Sequence, residues 1–221
     1  MAIHAIVVAA GSGKRFGGKK QFALVHGKPL FAYATGVFQS QKQIDAITLV
    51  VPRREINRTR ITVRSLGFDK VRYVVAGGRR RQDSVVNGLR TVKGRTGIVI
   101  IHDAARPLVT GKMISRGIAM CRRYKSVILG ISVRDTVKRA VRRNVQETIS
   151  RQDLYLVQTP QFYDLRTIRQ AIDRADFRVE YTDEAAILES LGTPVHMGRG
   201  DQHNIKITDR RDLKFAEKLL K

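Results

Sequence analysis

The chain opens on Ile3-His4-Ala5-Ile6-Val7-Val8-Ala9-Ala10-Gly11-Ser12-Gly13-Lys14-Arg15. The run from Ile3 to Ala9 reads as a strand buried on both faces, and the glycines after it read as a tight turn. Glycine lets a backbone approach a phosphate closely, and Arg15, Lys19 and Lys20 place charge in the same loop. Neither common phosphate motif fits. The dinucleotide fingerprint fails because Phe16 stands at its third glycine. The P-loop pattern nearly fits Gly13 to Lys19, but Lys20 stands where a metal-binding hydroxyl is needed.

Outward from this strand the pattern alternates. A helix is expected from Pro29 to about Ser40, a strand over Ile47 to Val51, and a helix from Ile56 stopped by Gly67. Strand Val71 to Ala76 closes on Gly77-Gly78. Helix Ser84 to Val92, strand Ile98 to Ile101, helix Gly111 to Tyr124 and strand Val127 to Val133 follow. The rhythm then breaks. Asp135 to Tyr155 is polar and basic, and reads as a protruding hairpin turning near Arg142 to Asn144. Helices around Asp164 to Ala175 and Asp183 to Leu191, strands Val195 to Gly198 and Asn204 to Thr208, and a last helix Asp209 to Leu220 complete the chain. Alternating βα units predict one α/β domain over 1–221. Its sheet is Rossmann-like and mostly parallel, with helices on both faces and residues 135–160 as an arm.

Composition excludes several classes. Of 221 residues 43% are hydrophobic and 28% charged, which suits a folded globular chain. The longest apolar run, Ala5 to Ala10, is too short to span a membrane, and no signal peptide is read. Cys121 is the only cysteine, so no internal disulfide forms and a reducing cytoplasm is expected. Lys plus Arg is 42 against 19 Asp plus Glu, a formal charge of +23 that attracts polyanions. The basic residues are scattered, tryptophan is absent and aromatics are 6%. A nucleic-acid-binding protein is therefore the rival reading, not the expected function.

In a parallel sheet, ligands bind at the carboxyl ends of the strands. After the third strand, Gly77 to Val85 offers a second glycine turn with cations before a helix N-terminus, which favours anions; a solvated loop is the alternative. After the fourth comes His102-Asp103-Ala104-Ala105-Arg106-Pro107. Asp103 is suited to hold a divalent cation that bridges phosphates, and Arg106 to meet an anion, while His102 reads as structural. Lys206 points away from Ile205 and Ile207, into solvent or into a cleft. Many cations, one carboxylate and no activated nucleophile suit phosphoryl or nucleotidyl transfer.

Eight motifs in order resemble one family across essentially the whole chain. They are Ala9 to Arg15, Lys20-Gln21, Gly77 through Arg81 to Val85, His102 to Pro107, Asp135-Thr136-Val137-Lys138, Arg151-x-x-Leu154 with Gln158-Thr159-Pro160-Gln161, Thr182-Asp183-Glu184, and Asn204 to Thr208. The set resembles the 2-C-methyl-D-erythritol 4-phosphate cytidylyltransferases of the non-mevalonate isoprenoid pathway. The sister ribitol 5-phosphate enzymes share the fold, but Ala9-Ala10-Gly11, Ala104-Ala105 and Arg151-x-x-Leu154 favour the first family. The resemblance implies a nucleotide-diphospho-sugar transferase type of fold, CTP as co-substrate and Mg²⁺ on Asp103. It implies that Arg15 and Lys20 stabilise the charge developing on the triphosphate. Ala9, Ala10, Gly11 and Gly13 would cradle the nucleotide, with Gly78 and Ser84 near the base and Ala104 near the sugar. Asp103, Arg106, Thr136, Thr159 and Thr182 would bind the polyol phosphate, and Arg151 with Lys206 would position it. It implies a homodimer whose arm carries Arg151 and Thr159 into the partner's site. Two positions depart from the family pattern: Lys19 replaces a usual proline and is expected to compete with Lys20, and Arg79 replaces a usual acid.

Overall fold

The computed structural model describes residues 1–220. Strand β1 (Ile3–Val8) lies near the middle of a seven-stranded sheet. A minor hairpin, β2 (Leu24–Val25) and β3 (Lys28–Pro29), precedes helix α1 (Leu30–Ser40). The βα rhythm continues through β4 (Ala46–Val51), α2 (Ile56–Ser65), β5 (Val71–Ala76) and α3 (Arg81–Leu89). Then come β6 (Ile98–Asp103), α4 (Gly111–Tyr124) and β7 (Ser126–Ser132). Strands β8 (Val137–Val141) and β9 (Asn144–Ile149) form a separate two-stranded sheet. The chain returns as β10 (Tyr155–Asp164), α5 (Leu165–Arg174), α6 (Glu184–Ser190), β11 (His196–Arg199) and α7 (Arg210–Leu219). No helix among the described residues is long and apolar enough to cross a membrane.

The sheet order is β11-β7-β10-β6-β1-β4-β5. Strands β6, β1, β4 and β5 are parallel, and so are β11 and β7. Alternating side chains feed two cores. Ile3, Ala5 and Val7 join α1, α2 and α4 on one face. Ile6, Val99 and Ile101 join α3, α5 and α6 on the other. A third cluster seats α7, through Ala216 and Leu220, on Val25, Leu30 and Ile207.

Four expectations need correction. Strand β10 runs antiparallel between β6 and β7, where no strand was expected. Pro160 and three polar neighbours hide it from a reading based on apolar runs. The sheet therefore recovers the chain at Tyr155, and residues 155–160 belong to it rather than to a projecting arm. Residues 204–208 form no strand. They are an irregular strap joined to the β6 loop by the Ile207 N–H bond to the Ala105 carbonyl at 2.8 Å. Helix α3 begins at Arg81, not Ser84, because Asp83 accepts the Arg80 N–H at 3.0 Å and caps an earlier turn.

One buried relay stitches β6 to β10 beneath the strand ends. The Asp103 N–H donates to Thr159 Oγ1 at 3.0 Å, and that hydroxyl lies 3.2 Å from His102 Nδ1. His102 Nε2 is 3.1 Å from the Arg106 carbonyl. A carbonyl only accepts, so Nε2 carries the proton and Nδ1 accepts from Thr159. Burial lowers the His102 pKa to about 4, which keeps the ring neutral.

Two outcomes follow. A Cβ on Gly117 would lie 2.1 Å from Phe162, so Gly117→Ala should cost about 1–3 kcal/mol in urea unfolding by overpacking α4 on β10. An unchanged midpoint would remove that contact from the core. The folded His102 refuses a proton that the unfolded chain takes up below about pH 6.5. Its contribution to stability therefore falls as pH drops, by about 2 kcal/mol from pH 7 to pH 5. His102→Gln should flatten the stability–pH curve by that amount; an unchanged slope would reject the neutral buried ring.

Candidate active site

The carboxyl ends of β1, β5 and β6 open on a cleft of about 540 Å³. The loop after β1 is folded back on itself. Gly13 has φ of +68°, and a Cβ there would lie 1.8 Å from the Gly18 carbonyl oxygen, so only glycine fits. Gln21 closes the loop by donating to the carbonyls of Ala9 at 2.7 Å and Gly11 at 3.0 Å. Gly77 packs against Ala10 and Ser84, with no room for a side chain. Ser84 Oγ accepts the Gly78 N–H at 3.0 Å and donates to the Arg80 carbonyl at 3.1 Å, which fixes the second glycine turn beside the first.

Six cations line this cleft among the described residues: Arg15, Lys20, Arg79, Arg80, Arg81 and Lys206. Lys20 Nζ donates to the Ile207 carbonyl at 2.5 Å, which ties the β1 loop to the strap. Burial depresses the Lys20 pKa, and the neighbouring charges of Lys206 and Arg15 depress it further. Three cations thus crowd one space with too few counter-charges.

Asp103 faces them at the end of β6 and is 8% exposed. Its Oδ1 accepts from Arg81 Nε at 3.0 Å and its Oδ2 from Lys206 Nζ at 2.7 Å. Burial alone would raise its pKa. Arg81 and Lys206 outweigh burial and hold the carboxyl well below the usual carboxylate range. Arg81 is itself anchored, its Nη1 donating to both oxygens of Glu184 at 2.8 and 3.0 Å. Burial lowers the Arg81 pKa, but Glu184 and Asp103 more than reverse this and keep it charged. Glu184 is shifted up by its own burial despite Arg81.

A second cleft of about 350 Å³ lies beyond this group, lined by Arg106, Thr159, Thr182 and Asp183 among others. Arg81, Asp103 and Lys206 line both clefts. Two ligands would therefore meet across this trio. Arg106 is half-buried, donating to the carbonyls of Asn204 at 2.7 Å and Val157 at 3.4 Å, so it also pins the strap that carries Lys206.

The structure brings together most of the residues expected from sequence. Ala9, Ala10, Gly11, Gly13, Arg15, Lys20, Gly78, Ser84, Asp103 and Lys206 line the first cleft. Ala104 does not: its side chain is fully buried, and Ala105 faces the cleft instead. Thr159 lines the second cleft of its own chain, buried at 5% and bonded to Asp103. Thr136 and Arg151 are exposed and line neither cleft; Arg151 Nη1 donates to the Arg134 carbonyl. Lys19 does not compete with Lys20, because Glu55 holds its ammonium at 2.6 Å. Arg79 lines the cleft, making its rim more positive. The Arg81–Glu184 pair was not singled out. Its partners are far apart in the chain, and its only sequence signal is an arginine in a glycine turn and a glutamate beginning a helix.

Among the described residues no three His, Cys, Asp or Glu side chains converge as a metal centre. A lone carboxylate still suits Mg²⁺, which is commonly held by one or two carboxylates together with substrate phosphates.

Comparison with known proteins agrees with this geometry. A family model described as 2-C-methyl-D-erythritol 4-phosphate cytidylyltransferase matches residues 3–221. The protein of that name from Geobacter metallireducens is 40% identical, covering 100% of this chain and 98% of the relative. That from Halalkalibacterium halodurans is 37% identical, covering 100% and 97%. Among solved structures, the 4-diphosphocytidyl-2C-methyl-D-erythritol synthase of Anaerococcus prevotii superposes with a TM-score of 0.86 at 28% identity, covering 99% of this chain and 96% of that one. The Francisella tularensis 2-C-methyl-D-erythritol 4-phosphate cytidylyltransferase gives 0.84 at 28%, covering 100% of both. With full-length relatives and a site of two clefts meeting at one carboxylate, the chain belongs to the 2-C-methyl-D-erythritol 4-phosphate cytidylyltransferase family.

Proposed function

We propose that this chain transfers the cytidylyl group of CTP to 2-C-methyl-D-erythritol 4-phosphate, releasing pyrophosphate. The observation that carries the reading is the meeting of two clefts at Asp103 and Lys206. CTP would take the glycine-walled cleft and the polyol phosphate the smaller one. A phosphate oxygen of the polyol attacks the α-phosphorus. The bond from that phosphorus to the bridging oxygen breaks, and the electron pair leaves with pyrophosphate. A phosphate mostly dianionic at pH 7 needs no base, consistent with a site that has no activated nucleophile.

The chain's own residues reduce the repulsion between two polyanions. Arg15 and Lys20 take charge developing on the leaving phosphates. Lys206, held on the strap by Arg106 and Lys20, draws the attacking phosphate toward the trio. Thr182 and Thr159 line the acceptor side. Asp103 would hold a divalent cation, which when bound neutralises triphosphate charge. These charged substrates are metabolites that do not cross membranes unaided, and we place the reaction in the cytoplasm.

The hairpin β8–β9 supports a homodimer. Val141, Val145, Tyr155, Leu156 and Val157 on and beside it are between 38% and 62% exposed, more apolar surface than a solvated hairpin needs. Exchange of this hairpin would bring Arg151 and Thr136 to the partner's second cleft, which neither reaches within one chain.

Pyrophosphate release with CTP and Mg²⁺ should be rapid with methylerythritol phosphate and slow with ribitol 5-phosphate. The reverse preference would move the substrate, and release with neither would reject the reading. Arg151→Ala and Lys20→Ala should each lose on the order of 10²-fold in turnover. Mixed after subunit exchange, they should recover about a quarter of wild-type activity, because half the dimers then hold one intact site. No recovery after confirmed exchange would exclude a shared site.

A further inference from the structure

We propose that Lys206 is a placeholder: its ammonium occupies the one Asp103 oxygen open to a divalent cation, so the metal is admitted only together with phosphate. This rests on the reading of Asp103 as the metal-holding residue.

The two oxygens of Asp103 are not equivalent. Oδ1 is committed to Arg81, which is tied by two bonds to Glu184, a carboxylate only 1% exposed. Arg81 cannot leave without stranding a buried charge. The Asp103 backbone is fixed as well, through its N–H to Thr159. Only Oδ2 remains, and Lys206 Nζ lies 2.7 Å from it. A Mg²⁺ ion needs a carboxylate oxygen at about 2.1 Å, so ammonium and metal on one oxygen would stand too close to tolerate their repulsion.

Lys206 is also the partner that can move. Its side chain is 42% exposed against 24% for Arg81, and among the described residues Asp103 is its only ion-pair partner. It sits on an irregular strap, bordering both clefts. A phosphate arriving in either cleft offers the ammonium a stronger anionic partner. Oδ2 is then released when phosphate oxygens are at hand to complete a coordination shell that no group of three His, Cys, Asp or Glu side chains fills among the described residues. Lys206 thus serves twice, excluding the cation before the nucleotide arrives and binding phosphate afterward.

The test uses Mn²⁺ as probe, with free ion read by electron paramagnetic resonance on the whole 221-residue chain without nucleotide. Wild type should bind weakly. Lys206→Met should bind about tenfold more tightly, the factor given by about 1.4 kcal/mol of lost competition. Lys20→Met removes the same charge from the same cleft without touching Asp103, and should gain far less. Adding Asp103→Asn to Lys206→Met should abolish the gain, and Lys206→Arg should keep the weak binding of wild type. Thermal melts establish that each variant is folded. A Lys206→Met protein that binds no more tightly than Lys20→Met overturns the placeholder. If CTP-dependent Mn²⁺ binding is instead unchanged in Asp103→Asn, the reading of Asp103 as metal-holding residue fails, and the proposal with it.

Discussion

The ion cluster around Asp103 is the constraint on which the rest of the site depends. A carboxylate 8% exposed at the end of a central strand has lost most of its hydration, at a cost of several kcal/mol. Arg81 and Lys206 offset that cost, and Glu184 in turn neutralises Arg81. For stability alone, an apolar cluster of similar volume would often serve as well or better. What the ions add is position. They join the start of α3, the end of β6, the start of α6 and the strap before α7, four segments that no single hydrophobic core connects. The clefts on either side take their shape from these joints.

Catalysis requires two polyanions to approach within bonding distance, and the site answers with cations set close together. Burial first, and then the like charges of Lys206 and Arg15, depress the Lys20 pKa, and its ammonium donates to the Ile207 carbonyl. A bound phosphate supplies the negative charge that these neighbouring cations share. Preorganised cations of this kind need not reorient as charge develops, which is where such sites gain over water.

Sequence revealed the parts whose signal is local. The β1 strand and its glycine loop, the fourth strand from Ile98 to Ile101 with Asp103 just beyond it, and α4 from Gly111 to Tyr124 follow from apolar runs, glycines and helical spacing. It did not reveal parts fixed by distant partners. Strand β10 has polar residues at Gln158, Thr159 and Gln161 because those side chains line the second cleft, Gln158 also donating to the Asn204 carbonyl of the strap. The stretch Ile205-Lys206-Ile207 has the alternation of a strand but no neighbouring strand. Side chains of Lys20 and Arg106 hold the strap, and Ile207 anchors it by burial in the third core. Glu184 opens α6 far along the chain from Arg81, and only the fold brings the two together.

The excess of positive charge belongs to the surface rather than to the site. Two phosphorylated substrates need about half a dozen cations, and the first cleft already holds six. The remainder is spread over exposed positions such as Arg58, Arg60 and Arg64 on α2. There, Arg60 and Arg64 stand one helical turn apart and repel, which costs the helix a few tenths of a kcal/mol. At physiological ionic strength a charge is screened over about 8 Å, so arginines well beyond that distance do not steer substrate into the clefts. Lowering the salt lengthens that reach and would recruit the scattered cations to attract any polyanion. Capture of CTP should therefore be governed by the lining cations at physiological salt, and by the whole +23 only in dilute buffer.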